Sequence, residues 1–291
     1  MIERVLVPTD FTIETEDLLG CIGELKNAGL KRVILLHVID IHKAQGLAPM
    51  FERHAKEEIE HYADFATALE LEAEALVVVG EVKKVIIEVA NQNHVDCIIM
   101  GATTEGLIKG RLLGRTTEYI THRSERMLLI EKYNVLREGK EVYGKACRTT
   151  FSRILVPLDF SKESIRAVEQ LQEFTEILKE IVFVHVIDNI KDFDLLDEQR
   201  AETISRLQEL GKRFSGVNVR YSIPQGVPSE EITRLAETED ITLIILTARG
   251  RGEVKELLLG STVEKVLRQT IKPVLLIPAS RGREGERRKG E

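Results

Sequence analysis

The sequence predicts an α/β protein built from two tandem, doubly wound parallel-sheet domains. Two observations lead to this fold class: short apolar runs alternate with amphipathic helical stretches, and the whole pattern occurs twice along the chain. Strands that are apolar throughout and separated by helices are typical of a parallel sheet covered on both faces. A chain of 291 residues is long enough for two such domains, each with its own core.

The duplication is visible in four pairs of segments that keep the same order along the chain. The pairs are RVLVPTDFT (4–12) with RILVPLDFS (153–161), VILLHVID (33–40) with IVFVHVID (181–188), VVVGEVKKVIIEVA (77–90) with SIPQGVPSEEITRLA (222–236), and DCIIMGATTEGLIKGRLLG (96–114) with TLIILTARGRGEVKELLLG (242–260). We therefore expect domain 1 over residues 1–134 and domain 2 over 151–279. The polar segment 135–150 is then a linker, and the tail 280–291, which has no apolar core to bury, is expected to be disordered.

The second copy predicts its elements most clearly. Its apolar runs predict strands at 153–157, 181–187, 217–223, 241–246 and 274–277. Between the first two strands, residues 162–179 predict a helix. Apolar residues recur there at three- and four-residue spacing and form a core-facing stripe: Ile165, Val168, Leu171, Phe174 and Leu178.

Composition narrows the function classes. The net charge of −7 and the pI near 5.7 argue against non-specific nucleic-acid binding. No apolar stretch approaches the length of a membrane span, and the N-terminus carries charges where a secretion signal needs an apolar core. Three cysteines (Cys21, Cys97 and Cys147) have no disulfide or metal-ligand spacing and are expected to be reduced thiols. We expect a cytoplasmic protein with no nucleic-acid or membrane partner.

A glycine-rich loop after the fourth strand of copy two is the main candidate for ligand chemistry. It runs from Thr247 through Gly250 to the pair Gly260–Ser261, where a helix begins. Ligands of open α/β sheets bind beyond the carboxyl ends of the strands, and a helix N-terminus favours phosphate. Arg249 adds positive charge. A local alternative is a capping box in STVE (261–264), with Ser261 capping the helix and the glycine merely allowing a tight connection.

These segments resemble the universal stress protein family, whose nucleotide-binding members carry G-2x-G-9x-G-[ST] after the fourth strand. The other family marks are an Asp closing the first strand (VPLDFS), an HV strand (VFVHVID) and a final KPVLLIP strand (272–278). The similarity covers nearly all of both copies, so the chain resembles a tandem universal stress protein. The resemblance implies a Rossmann-like fold of the adenine nucleotide alpha hydrolase type.

The resemblance also implies a bound adenine nucleotide, ATP or AMP, in domain 2. The matching positions are Pro157, Leu158 and Asp159 at the adenine and ribose, the backbone near Val186 at the adenine edge, and Gly250, Gly260, Ser261 and Thr262 at the phosphates. One position departs from the family motif: its first glycine is Thr247 here, whose Cβ crowds the ligand, although its hydroxyl could donate a hydrogen bond.

Simpler structural roles compete with these assignments. Asp159 can act as a favourable negative charge before helix 162–179, with Ser161 as its N-cap. His37 and His185, at matching strand positions, are expected to be buried core histidines. No protein metal site is expected, although bound ATP would bring Mg²⁺ through its own phosphates.

Copy one has lost part of the motif. Its matching positions are Asp10 at the first strand end and Gly101 and Gly114 in the loop, but Thr104 replaces the second glycine and Arg115 replaces the capping serine. We expect the first site to be degenerate, and side chains could fill its interior. The alternative is that Arg115 forms a salt bridge with a phosphate. The final strand also differs, with ERMLLIEK (125–132) where copy two has KPVLLIP.

The leading functional hypothesis is an adenine-nucleotide-binding regulatory protein. We assign no catalytic residue. Asp159, at the adenine side, is badly placed to act on the γ-phosphate, and Glu253 and Glu256, which could orient a water in the phosphate loop, are expected to be solvated surface charges. Slow ATP hydrolysis and a ligand-free dimerisation scaffold remain alternatives, the latter because of Thr247. The resemblance further implies that the last strands of the two copies pair within one chain, and that whole chains pair again as a homodimer.

Overall fold

The structure of the chain is a computed structural model that describes residues 2–11, 14–44, 46–103, 113–133, 135–137, 140–143, 150–188, 193–249 and 259–279. The elements of the first copy are β1 (Arg4–Thr9), α1 (Glu14–Lys26), β2 (Arg32–Asp40), α2 (Ile41–Ala44), α3 (Ala48–Ala68), β3 (Glu72–Gly80), α4 (Val82–Gln92), β4 (Cys97–Thr103), α5 (Arg115–Arg123) and β5 (Met127–Tyr133). A short pair of strands, β6 (Val135–Arg137) and β7 (Lys140–Tyr143), follows.

The second copy repeats the order of the first. Its elements are β8 (Arg153–Pro157), α6 (Lys162–Leu171) with a 3₁₀ turn (Gln172–Phe174), β9 (Glu180–Val184), α7 (Phe193–Gly211), β10 (Asn218–Ser222), α8 (Pro228–Thr238), β11 (Leu243–Thr247), α9 (Ser261–Gln269) and β12 (Val274–Ile277). The two doubly wound parallel α/β units that the sequence predicts are therefore confirmed.

The strands of both copies form one ten-stranded sheet in the order β10-β9-β8-β11-β12-β5-β4-β1-β2-β3. Within each copy the paired strands are parallel. The copies meet where β12 pairs antiparallel with β5, with Val274 opposite Ile130 and Leu276 opposite Leu128. The predicted pairing of the two last strands within one chain is confirmed.

This strand order creates one topological switch point in each copy. The chain passes from β8 to β9 on one side and later places β11 on the other side of β8. The first copy does the same around β1, between β2 and β4. Crevices beyond the carboxyl ends of the strands at such points are where open α/β sheets bind ligands. The fold therefore offers two candidate sites, one in each copy.

Two layers of apolar side chains cover the sheet, one on each face. The central strands are almost entirely buried, as in β8 and β11, which explains their continuous Val, Ile and Leu runs. Four of the five predicted stripe residues of the α6 region are buried, and Ile165 is partly buried against the same layer. The amphipathic pattern thus identified the packed face correctly.

Several predicted boundaries differ from the observed ones. Strands 153–157 and 274–277 agree, whereas the strand predicted at 181–187 ends at Val184, beyond which Ile187 makes only an isolated bridge to Gln225. The helix predicted over 162–179 stops at Leu171 and continues as the 3₁₀ turn. Smaller shifts of one or two residues affect β10 and β11.

The linker contains structure that the sequence did not predict. Val135–Arg137 and Lys140–Tyr143 form a two-stranded antiparallel sheet with a register shift between Val135 and Leu136. The expected tail, 280–291, lies outside the described residues.

Candidate nucleotide site

The adenine side of the predicted site in domain 2 is built where β8 ends. Leu158 continues the strand by donating its N–H to Val184 O (2.8 Å), while its side chain is buried in the core (3% exposed). Pro157 is the last residue of β8, and Val186 follows β9 with its side chain partly buried. Of these residues, Leu158 can meet a ligand only through its backbone.

Asp159 connects the strand end to the next helix. Its Oδ1 accepts a hydrogen bond from Ser161 N (2.9 Å), and Ser161 Oγ accepts one from Ser164 N (3.2 Å). Ser161 is therefore the N-cap of α6, as predicted. Asp159 contributes negative charge to the same helix start, so it has the structural role that competed with ligand binding, at a position that still borders the switch point.

Two residues missed by the sequence analysis, Phe160 and Arg206, complete this corner together with His185. Phe160 has a positive φ of 57°, and its ring lies 4.9 Å from the ring of His185. The guanidinium of Arg206 lies 3.8 Å from the centre of the Phe160 ring, a cation–π contact. The strained backbone, which an aromatic residue rarely adopts, turns the chain sharply at the strand end.

The histidines predicted to be core residues have a more specific place. His185 Nδ1 donates to Leu158 O (2.6 Å), and His37 Nδ1 donates to Thr9 O (3.0 Å), since a carbonyl oxygen can only accept. Both rings are half-buried rather than fully buried, which corrects the prediction. Burial lowers the pKa of His37 and so favours its neutral form. Each histidine therefore stabilises the end of the first strand of its copy, or the residue after it, through a hydrogen bond to a backbone carbonyl.

The phosphate side of the predicted site is formed where β11 ends and α9 begins. Gly260 N donates to Ala248 O (3.0 Å), and Ala248 N donates to Ile277 O (2.8 Å). The first of these bonds closes the intervening loop and brings its two ends together at the carboxyl edge of the sheet. Thr247 Oγ1 donates to Arg249 O (2.9 Å), so this hydroxyl is engaged within the loop. Gly250 lies outside the described residues.

The helix start differs from the capping box that the sequence suggested. Gly260 is the N-cap of α9, without a side-chain cap, and Ser261 is its first helical residue and is exposed. Glu264 does not reach back, because its Oε1 accepts from Arg268 Nε (3.2 Å) and Nη2 (2.9 Å). The capping-box prediction is therefore wrong. Because Gly260 has no side chain, the amides of the first turn need another acceptor.

Domain 1 contains a cavity of about 1000 Å³ at the equivalent edge. Its lining includes the predicted residues Asp10 and Gly101, together with Lys43 of α2 and Phe51 of α3. Phe11 repeats the conformation of Phe160, with φ of 61° and its ring stacked 4.1 Å from that of His37. Whether side chains fill the first site stays a prediction, because Thr104 and the rest of the loop, 104–112, lie outside the described residues.

The phosphate end of this cavity has a different character from that of domain 2. Gly114 is the N-cap of α5 without a side-chain cap, and Thr116 and Thr117 of the first turn line the cavity. Arg115, the first residue of α5, is exposed. A cation at a helix N-terminus opposes the helix dipole and is unfavourable for the helix itself, whereas its charge would attract an anion bound at this end.

Other chemistry has little support among the described residues. They contain no cluster of three or more His, Cys, Asp or Glu side chains that could hold a metal ion. Cys97 is a buried free thiol whose pKa burial raises to about 12, so it is not a nucleophile at neutral pH. None of the described helices is both long enough and apolar enough to span a bilayer.

Comparison with known proteins agrees with this architecture. The model of the universal stress protein family matches residues 1–132 and again 150–278. A universal stress protein of Methanocaldococcus jannaschii is 28% identical over 153 residues, covering 44% of this chain and 94% of that protein. Another from Bacillus subtilis is 28% identical over 151 residues, with 44% and 99% covered.

Solved structures extend the comparison to the whole chain. A universal stress protein from Archaeoglobus fulgidus has a TM-score of 0.70 at 25% identity, with 95% of this chain and 96% of that chain covered. A further structure from Pseudomonas aeruginosa shares the fold, with a TM-score of 0.65 at 14% identity and 95% of this chain and 93% of that chain covered. Because the family model matches both copies, the chain belongs to the universal stress protein family and carries two family domains in tandem.

Proposed function

We propose that this protein is an adenine-nucleotide-binding regulatory protein whose ligand, ATP or AMP, occupies mainly domain 2. The observation that carries the proposal is the bond between Gly260 N and Ala248 O, which holds the start of α9 at the carboxyl end of β11. Since β11 and β8 are neighbours in the sheet, this helix start lies beside the strand that leads to Asp159. An anion-binding helix end and an adenine-side corner therefore border one switch point.

The phosphate assignment follows from the chemistry of the helix start. A helix N-terminus offers unpaired N–H groups and about half a positive charge, which together suit phosphate. Ser261 and Thr262 would hold the phosphates. Gly260, whose N–H donates to Ala248 O, would let the phosphates approach closely because it has no side chain, and Arg249 adds positive charge nearby. Gly250 completes the motif by sequence alone. Thr247 departs from the motif, and because its hydroxyl already donates to Arg249 O, this side chain supplies no hydroxyl donor to the ligand.

The adenine and ribose would lie against the strand ends of β8 and β9. Asp159 would face the ribose side, the backbone of Pro157 and Leu158 would border the base, and the backbone near Val186 would meet the adenine edge. ATP would bring Mg²⁺ through its own phosphates. We propose regulation rather than catalysis, because Asp159 would lie at the adenine side, away from a γ-phosphate. Homodimer formation and a cytoplasmic location are part of the same proposal.

The first experiment identifies the ligand. Purified protein is denatured and the supernatant analysed by mass spectrometry, which we expect to detect ATP or AMP. The protein is then titrated calorimetrically with ATP, and phosphate release from labelled ATP is followed. Binding with negligible release supports a regulatory protein, steady release indicates a hydrolase, and no binding at all would overturn the proposal.

A matched pair of glycine variants locates the ligand. Gly260→Val places a branched side chain where phosphate would approach, and φ of −60° at this residue permits any side chain. Gly114→Val is the control in domain 1, since a Cβ there meets nothing within 4 Å. We expect Gly260→Val to weaken ATP binding at least tenfold and Gly114→Val to leave it unchanged. The reverse pattern would move the nucleotide to the cavity of domain 1.

A further inference from the structure

Lys132, in the last strand of domain 1, is buried in the seam between the two domains. Its side chain is completely inaccessible to solvent. Its Nζ donates to Leu267 O (2.7 Å) and to Thr270 O (2.9 Å), the carbonyls at the C-terminal end of α9 in domain 2. A lysine of one domain thus caps a helix of the other.

The register of the shared strands explains the contact. Val274, the first residue of β12, lies opposite Ile130 of β5, so Lys132 extends two residues further, toward the end of α9. Side chains alternate along the strand, which places Lys132 on the same face as Ile130, the face that α9 covers. Copy two has Pro278 and Ala279 where copy one has Glu131 and Lys132, so the reciprocal cap is missing.

The cap is electrostatic as well as geometric. A cation is favoured at a helix C-terminus, where the dipole is negative. Burial lowers the pKa of Lys132 to about 7, so its charge changes near neutral pH. The charged groups on the elements around it are Glu264 and Arg268 of α9, Glu118 of α5, Glu131 on its own strand and Lys272 after α9. Burial alone accounts for the lowered pKa, without a contribution from these charges.

The opposite end of α9 is the proposed phosphate site. We propose that Lys132 is an interdomain positioning residue, whose protonation at the C-terminal end of α9 strengthens anion binding at Gly260–Ser261. This inference rests on the proposed function and names its regulation. Because coupling of two equilibria is reciprocal, a bound nucleotide in domain 2 also favours the protonated lysine in domain 1.

The size of the effect follows from the length of the helix. The nine residues of α9 span roughly 14 Å. A unit charge about 15 Å from a phosphate, at an effective dielectric constant of about 20, changes affinity on the order of fivefold. The charge at the C-terminal end of α9 lies on the fully buried Lys132, so salt screens this interaction less than it screens a pair of surface charges.

The test compares Lys132→Met with Lys265→Met. The second variant is the control, because it removes an exposed lysine of α9 itself. ATP affinity is measured by calorimetry from pH 6 to pH 9. We expect the wild type and Lys265→Met to lose affinity several-fold more than Lys132→Met as the pH rises. The titration of ATP itself is common to all three proteins and cancels in the comparison.

A second measurement counts the protons exchanged on ATP binding. Calorimetry of the wild type and of Lys132→Met at pH 7.5, in buffers with different ionisation enthalpies, reports this number. We expect the wild type to take up more protons than Lys132→Met, because the nucleotide favours protonated Lys132. Equal proton exchange in the two proteins, or three identical pH profiles with ATP bound normally, would overturn the role of Lys132 alone. Absence of ATP binding by the wild type would overturn this inference together with the proposed function.

Discussion

At the scale of single residues, two serines of domain 2, Ser161 and Ser261, show how differently a helix can begin. Ser161 caps α6 through its side chain, whereas Ser261 is already inside α9 and caps nothing. We expect Ser161→Ala to lower the free energy of unfolding by about 1 kcal/mol, and Ser261→Ala to change it by less than about 0.5 kcal/mol. Urea unfolding of both variants measures the difference. Equal losses would restore the capping-box interpretation.

Cys97 illustrates how burial controls reactivity. Its thiol is fully buried at the start of β4, and the loss of hydration raises its pKa to about 12. We expect Cys97 to stay unmodified when the native protein is treated with a thiol reagent at pH 8, and to react fully after denaturation. Peptide mapping by mass spectrometry separates it from Cys21 and Cys147. Rapid labelling of Cys97 in the native protein would contradict the burial.

At the scale of elements, α9 is held by its apolar stripe and by its two ends. Val263, Val266 and Leu267 are buried against the sheet, while Lys265 points to solvent. We expect Leu267→Ala to lower the free energy of unfolding by about 2–5 kcal/mol, through lost burial and the cavity left behind. Lys265→Ala, on the exposed face, should change it by less than about 0.5 kcal/mol. Denaturant unfolding of the two variants tests this assignment of faces.

The order of elements was predictable because the central strands are buried on both faces and read as continuous apolar runs. Their ends were less predictable. The run at 181–187 continues past Val184 with His185, Val186 and Ile187. His185 N and Ile187 N donate to Ser222 O and Pro224 O, so the ladder of β9 does not continue in full. The β6–β7 pair escaped prediction because its strands are short and lack clear alternation.

The candidate site was predictable only where spacing carries information. The motif located Thr247 and Gly260 at a strand end and a helix start, which is where the structure has them. No local sequence pattern predicts the positive φ of Phe160 or the hydrogen bond from His185 to Leu158 O, because both depend on the folded strand end. The cavity in domain 1 could not be predicted from the sequence either, because the loss of a motif does not indicate whether other side chains occupy the space.

At the scale of the whole molecule, the seam between the copies is where the duplication has become asymmetric. The antiparallel β12–β5 pair alone would relate the two halves symmetrically. Lys132 and its neighbour Glu131 break this relation, because both occur only in copy one. Arg268 Nη2 of α9 also donates to Glu118 Oε1 of α5 across the seam (2.6 Å). The polar contacts across the seam are therefore asymmetric: Lys132 and Glu118 of domain 1 both contact α9, the helix that begins at the motif of domain 2.

Glu24 of α1 ties domain 1 to the start of domain 2. Its carboxylate accepts from Thr150 N (2.9 Å) and Phe151 N (2.7 Å), just before β8. Burial, aided by the nearby charge of Glu131, raises the pKa of Glu24 from 4.5 to about 7, despite the two hydrogen bonds that favour ionisation. The folded protein therefore keeps a proton that the unfolded chain releases between these two pH values. Through this group, stability is greatest below pH 4.5 and falls as the pH rises to about 7.

The prediction is tested with Glu24→Gln, which keeps the shape of the side chain but cannot ionise. The free energy of unfolding of the variant, relative to that of the wild type, should rise between pH 4.5 and 7 and then stay level. Glu70→Gln, at an exposed carboxylate bonded to Lys26 (2.6 Å), is the control and should not show this rise. Lys132 affects stability at higher pH. Because its pKa is lowered from 10.5 to about 7, the free energy of unfolding should rise between these two pH values, and Lys132→Met should abolish this rise. Urea unfolding across the full pH range should thus separate the contributions of Glu24 and Lys132. If the free energies of unfolding of Glu24→Gln and of the wild type ran parallel with pH, the Glu24 carboxyl group would already be ionised in the folded protein at acidic pH.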